Sequence, residues 1–196
     1  MVHIVFAHGA GAGPESDFMQ HISGLLEEKG YKVQRIAFPY WQKVLQTGKK
    51  RPPDRAPVLD QYFVETVQAL RDPGQPLFVM GKSMGARVAA RTAEQLGATG
   101  MIGLGFPFHP PGKPERDRFD DLACAHVPSL IIQGSRDPFG NESWLELERL
   151  PSFVRVQWLA AANHDLVAPK RTGLSPEQGW QQVVDMVDQF IQEQLN

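Results

Sequence analysis

Leu77-Phe78-Val79-Met80-Gly81-Lys82-Ser83-Met84-Gly85-Ala86-Arg87 sets a Gly-x-Ser-x-Gly motif between a short apolar run and the start of a helical pattern. The order strand, tight turn, helix is what a serine nucleophile requires. The side chain must stand exposed above the end of a strand. Glycines two residues to either side let the backbone turn without Cβ clashes. The helix that begins at the turn aims its free N–H groups and positive dipole end at an oxyanion forming beside the serine. Gly81-Lys82-Ser83 also resembles the end of a phosphate-binding P-loop, but that loop needs a glycine where Pro76 stands.

Outward from this turn, further apolar runs are bounded by Gly, Pro or polar residues. They are Val2–Ala7, Lys32–Phe38, Met101–Gly105, Ser129–Gln133 and Phe153–Leu159, with Leu77–Met80 at the centre. Runs apolar along their whole length suit strands covered on both faces, as in parallel sheets. Helical patterns lie between them at Ser16–Lys29, Val58–Arg71, Met84–Leu96, Glu142–Leu150 and Pro176–Gln194. The alternation predicts an α/β fold: about six mostly parallel strands with helices on both faces. Two segments break the rhythm, Tyr40–Pro57 and Pro107–Arg118, each just beyond the C-terminal end of a strand. Ligands bind at that edge of open α/β sheets.

A serine nucleophile needs a general base, and the base needs a carboxylate to orient it. The fifth run leads into Gln133-Gly134-Ser135-Arg136-Asp137-Pro138, and the sixth into Asn163-His164-Asp165. His164 is the only histidine after Asp137. Ser83, Asp137 and His164 therefore follow three different strands in the order nucleophile, acid, base. Asp165 competes as the acid, but its adjacency to His164 places it poorly against that ring. His109 precedes Asp137 and is the weaker base candidate. After the first strand, His8-Gly9-Ala10-Gly11-Ala12-Gly13-Pro14 lacks the third glycine of a dinucleotide fingerprint. It suits an oxyanion loop, with the Ala10 and Met84 N–H groups as the two donors. His8 is read as a brace within that loop.

The chain has 196 residues, a length that predicts one domain spanning 1–196. Twenty basic against 22 acidic residues leave a net charge of −2. That lacks the basic excess of a nucleic-acid binder. Val2–Ala7 is too short for a secretory apolar region or a membrane span. The single cysteine, Cys124, forms no internal disulfide and is read as a small buried residue; a reducing, cytoplasmic setting is expected. His3, His21 and His126 show no zinc-ligand spacing, so no metal and no organic cofactor are expected.

Taken together, His8–Gly13, Phe38-Pro39-Tyr40, Arg51–Arg55, Gly81–Gly85, Phe106–Pro114, Gln133–Gly140 and Asn163–Asp165 resemble the α/β-hydrolase superfamily. The narrower likeness is to small dienelactone-hydrolase-like proteins. These are related to the hydrolase-like domain of a subunit of the non-specific-lethal chromatin complex. The resemblance covers nearly the whole chain and implies the same three positions, Ser83, Asp137 and His164. Full members of the superfamily carry two strands before the one that ends at His8, so a minimal sheet is expected. No stretch is long enough for a large helical cap, so an open site is expected.

The resulting expectation is a serine hydrolase acting on a small ester or thioester. Lys43, Lys49, Lys50, Arg51 and Arg55 offer steering for an anionic acyl substrate, against the plainer reading of a solvated loop. Phe106 and Phe108 offer walls for an acyl pocket, against a rigid connector. The competing functions are a non-catalytic interaction module on the same fold and an acyl transferase in which an alcohol or amine replaces water.

Overall fold

The computed structural model describes residues 1–196. Six strands form one sheet: β1 (His3–Ala7), β2 (Lys32–Ile36), β3 (Leu77–Lys82), β4 (Gly100–Leu104), β5 (Ser129–Gly134) and β6 (Val154–Leu159). Their order is β2-β1-β3-β4-β5-β6, and every neighbouring pair is parallel. Six α-helices join them: α1 (Asp17–Glu28), α2 (Pro39–Thr47), α3 (Ala56–Leu70), α4 (Met84–Thr92), α5 (Phe119–Ala123) and α6 (Pro176–Leu195).

The period-2 alternation of the strands splits the core into two layers. Ile4, Phe6, Phe78, Met80, Ile102, Leu104, Leu130 and Ile132 point to one face, where Ile22 and Leu26 of α1 and Val183, Val187 and Ile191 of α6 cover them. Val5, Val79, Met101 and Ile131 point to the other, beneath Leu59 and Phe63 of α3 and Val88 and Ala89 of α4. Both faces are therefore dry, which is why β1, β3, β4 and β5 read as continuous apolar runs. The C-terminal helix starts with a capping box, Ser175 with Gln178, and Pro176 in its first turn.

Three local readings are corrected. Tyr40–Pro57 is not irregular throughout: α2 occupies its first half, with Pro39 pre-set in the first turn and Gly48 ending it in the left-handed conformation (φ 67°). Glu142–Leu150 holds no α-helix, only a 3₁₀ turn at Leu147–Arg149. The Asn141 carboxamide accepts from the Trp144 N–H (3.0 Å) and the Ser143 hydroxyl (2.8 Å), an N-cap on a single turn that ends at Leu145. Cys124 is exposed. It caps the short helix α5 on the side away from the buried Phe119 and Leu122.

The direction in which strands are added reverses between β1 and β3: β2 lies beyond β1, and every later strand lies beyond β3. Ala7 and Gly81 are register partners at the ends of these two strands. The loop after β1 and the turn after β3 thus open side by side at the topological switch point, where such sheets leave a crevice. No inserted helical cap covers it. No helix is long and apolar enough to cross a membrane.

Candidate active site

Ser83 stands between β3 and α4 with φ 52° and ψ −113°. A non-glycine residue held at positive φ is strained, and the surroundings must enforce it. They do so by close packing. A Cβ on Gly81 would overlap the Gly85 carbonyl, and one on Gly85 would stand 2.7 Å from the His8 carbonyl oxygen. The two glycines thus let α4 begin directly against β1 and β3. The Ser83 N–H donates to the Leu104 carbonyl (3.0 Å), and its own carbonyl accepts from Ala86 and Arg87.

The loop after β6 brings His164 to the serine, with Nε2 2.9 Å from Ser83 Oγ. Its Nδ1 lies 2.8 Å from Asp137 Oδ2. The three residues, 27 to 81 positions apart, form one hydrogen-bonded chain. Asp137 is fully buried. Gln133 Nε2 donates to its Oδ2 (2.9 Å), and the Phe139 N–H to its Oδ1 (2.8 Å). A buried carboxylate with these partners accepts the Nδ1 proton and holds Nε2 free to accept from the serine. Phe139 packs on the imidazole, ring centroids 4.3 Å apart. Asp165 points elsewhere: its carboxylate is 3.8 Å from Lys82 Nζ and largely exposed. His109 is buried against Trp144, and its Nδ1 bonds the Pro110 carbonyl.

The first loop is braced as its sequence suggests. His8 is buried, its Nδ1 donates to the Gly9 carbonyl (2.7 Å), and its Nε2 accepts from the Phe38 N–H (3.1 Å). Burial holds its pKa below 6.5, which keeps the ring neutral and this pair of bonds intact. The Tyr40 hydroxyl donates toward the Gly9 and Ala10 carbonyls (3.2 and 3.0 Å). The loop carbonyls are thereby occupied from behind. The N–H groups of Ala10 and Met84 have no acceptor in the protein, and both residues border the cavity that Ser83 opens into.

Two cavities meet at Ser83, Ala10 and Phe139. The first, about 550 Å³, is mainly apolar, with Phe18 and Met19 of α1 and Trp180 of α6 in its wall. The second, about 360 Å³, runs along α4 and carries Arg87, Arg91 and Arg118. Phe106 and Phe108 border neither. They are fully buried beneath the Pro107–Arg118 segment, stacked toward Phe119 and Trp144, so their expected place in an acyl pocket is corrected to the core. The basic loop Lys49–Arg55 is exposed, and only Pro53 and Asp54 reach the second cavity.

The sequence reading missed Lys82. It is 8% exposed, and its ammonium donates to the His164 carbonyl (2.8 Å). Burial pushes its pKa down to about 8, against the pull of the Asp165 and Asp137 carboxylates. The residue beside the serine thus ties the turn after β3 to the loop that carries His164. A lysine at the end of an otherwise apolar strand was the available signal. Phe139, Trp180 and the arginines of α4 carried none, because their roles depend on what lies opposite them.

The family model described as alpha/beta hydrolase domain matches residues 1–192. The chain belongs to the alpha/beta hydrolase family. Solved structures agree at the level of fold. Dienelactone hydrolase from Anabaena variabilis is 20% identical, with a TM-score of 0.72 over 98% of this chain and 86% of that one. An α/β serine hydrolase without lid from Xanthomonas campestris is 18% identical, with a TM-score of 0.68 over 97% and 81%. Est1E from Butyrivibrio proteoclasticus, with ferulic acid bound, is 14% identical, with a TM-score of 0.71 over 100% and 90%. No curated protein matches the sequence. Like the neighbour described as without lid, this alpha/beta hydrolase carries no inserted helical cap.

Proposed function

We propose that this hydrolase cleaves a small ester or thioester through an acyl-enzyme on Ser83. The observation that carries the reading is the chain Ser83 Oγ–His164 Nε2 at 2.9 Å and His164 Nδ1–Asp137 Oδ2 at 2.8 Å, beneath a serine held at positive φ. Ser83 Oγ attacks the acyl carbon while His164 Nε2 takes its proton. Asp137 holds the imidazole in the tautomer that leaves Nε2 free, and stabilises the imidazolium. The Ala10 and Met84 N–H groups receive the oxyanion of the tetrahedral intermediate. The carbon–oxygen or carbon–sulfur bond breaks, and His164 returns the proton to the departing alcohol or thiol. Water then attacks the acyl-enzyme with the same base, releasing the acid and restoring Ser83.

A fluorophosphonate probe tests this without any guess at the substrate. Wild type should carry one adduct at Ser83, located by mass spectrometry, and Ser83→Ala should carry none. On a cleaved ester, Ser83→Ala should lower kcat by roughly 10³ to 10⁶. A folded wild type that resists the probe, or a loss below tenfold in the variant, overturns the assignment and favours an interaction module.

A further inference from the structure

The second cavity has a chemistry that ester cleavage alone does not call for. Arg87 and Arg91, four residues apart, project from one side of α4, and both border the cavity reached by Ser83 just before the helix. At 1.5 Å rise per residue, Arg87 lies about 6 Å along the helix from Ser83. Arg118 reaches the same cavity from the segment that follows β4.

The arginines are not equally committed. Arg91 is fully used: Nε and Nη2 bind the Asp60 carboxylate (2.8 and 2.6 Å), and Nη1 lies 3.3 Å from Asp121. Arg87 spends only Nε on Asp121. Its two terminal nitrogens have no acceptor. Arg118 gives one terminal nitrogen to the Pro107 carbonyl (3.2 Å) and has no carboxylate partner. Burial and the neighbouring Arg87 charge hold its pKa below the ordinary guanidinium value, with Asp121 opposing and Arg91 adding to the effect. A network that only joined α3, α4 and α5 would be complete with Asp60, Asp121, Arg87 Nε and Arg91. It leaves three guanidiniums against two carboxylates, with the free N–H groups of Arg87 and Arg118 on a shared cavity. Asp54 stands on the opposite wall, where its Oδ2 accepts from the Tyr40 N–H in the first turn of α2 (3.0 Å), and the helix terminus offsets its charge.

We propose that Arg87 and Arg118 form a subsite for an anionic group, a carboxylate or a phosphate, about one helical turn from Ser83. The inference rests on Ser83 being the nucleophile, and it narrows the substrate to an ester or thioester bearing a second, negatively charged end. Guanidiniums suit this because their planar fork donates in pairs to both oxyanions. The apolar cavity on the other side of Ser83 receives the uncharged half of the substrate.

Competition with Ser83 labelling by a neutral fluorophosphonate reads the subsite. Glutarate and inorganic phosphate are titrated at constant ionic strength against wild type, Arg118→Gln and Arg118→Lys, with chloride as the control. At least one of the two anions should slow labelling of wild type in a saturable way. Its potency should fall about tenfold in Arg118→Gln and less in Arg118→Lys. Protection by glutarate alone assigns a carboxylate, by phosphate alone a phosphate, and by both a general oxyanion site. No protection beyond chloride, or equal protection in Arg118→Gln, overturns the proposal. A calorimetric titration of the same anions needs no nucleophile. Arginine-dependent binding to a protein that resists the probe removes the hydrolase reading and keeps the subsite. Labelling without anion binding does the reverse. If Arg118→Gln does not fold, judged by its circular-dichroism melt, Arg118→Lys carries the comparison, and potency unchanged from wild type counts against the fork.

Discussion

Replacing Lys82 by methionine removes a buried ammonium and keeps most of its stem. The pKa of Lys82 falls from 10.5 to about 8, chiefly through burial. At about 1.4 kcal/mol for each pH unit, charging this group in the folded protein costs about 3 kcal/mol. Between pH 8 and 10.5 the unfolded chain holds the proton and the folded chain has released it. Folding stability from this residue therefore rises as pH climbs through that window, and below pH 8 the folded state carries the full cost. Most of it is recovered between pH 7 and pH 10. Methionine does not titrate. The unfolding free energy of Lys82→Met minus that of wild type should thus fall by about 2 to 3 kcal/mol between pH 7 and pH 10, measured by urea unfolding at each pH. Other titrating groups cancel in this difference, as does the constant loss of the bond to the His164 carbonyl. Parallel pH profiles for the two proteins would refute the claim that the ammonium is held against its solvation preference. The same variant frees the His164 loop, so kcat should drop by on the order of 10- to 100-fold with KM nearly unchanged. Stability gained at neutral pH with turnover lost is the pattern expected of a charge kept for position.

The remaining predictions concern the acid and the turn. Asp137→Asn places an amide where His164 Nδ1 needs an acceptor, and should lower kcat by about 10³- to 10⁴-fold in steady-state assays while the fold survives; a loss below tenfold would show that another group orients the ring. Gly85→Ala puts a methyl group 2.7 Å from the His8 carbonyl oxygen and should destabilise by about 3 kcal/mol or more in urea unfolding. Gly24→Ala, inside α1 with open space around it, should stabilise by about 0.5 to 1 kcal/mol; equal effects at the two sites would show that the turn after β3 is looser than its contacts imply.

The parts of the site that were legible in the sequence are those written within a few residues of each other. Gly81-Lys82-Ser83-Met84-Gly85 between an apolar run and a helical pattern defines its own turn, because glycine placement decides where backbones can touch. Asp137 and His164 were found because each follows a strand, and strand ends gather at one edge of a parallel sheet. The failures were equally local. Glu142–Leu150 has a helical pattern, yet the turn capped by Asn141 stops at Leu145 and only a 3₁₀ turn follows. Cys124 reads as apolar, yet it lies on the side of α5 away from Phe119 and Leu122. Phe106 and Phe108 sit beside the expected pocket in sequence and turn into the core, where Phe106 packs on Phe108 and Phe108 meets Phe119 and Trp144.

The sequence by itself determined the alternation of strand and helix, the parallel sheet covered on both faces, the tight turn at Ser83, and the order Ser83, Asp137, His164 at three strand ends. These follow from periodicity and turn chemistry, which act over spans shorter than one element. Tertiary structure alone decided that Lys82 grips the His164 carbonyl 82 residues away, and that Arg118 joins Arg87 at a cavity beside Ser83. Such pairings depend on how loops from separate strands cross at the sheet edge. That crossing is set by the register of the whole sheet and the packing of both helical layers, which no short stretch of residues encodes.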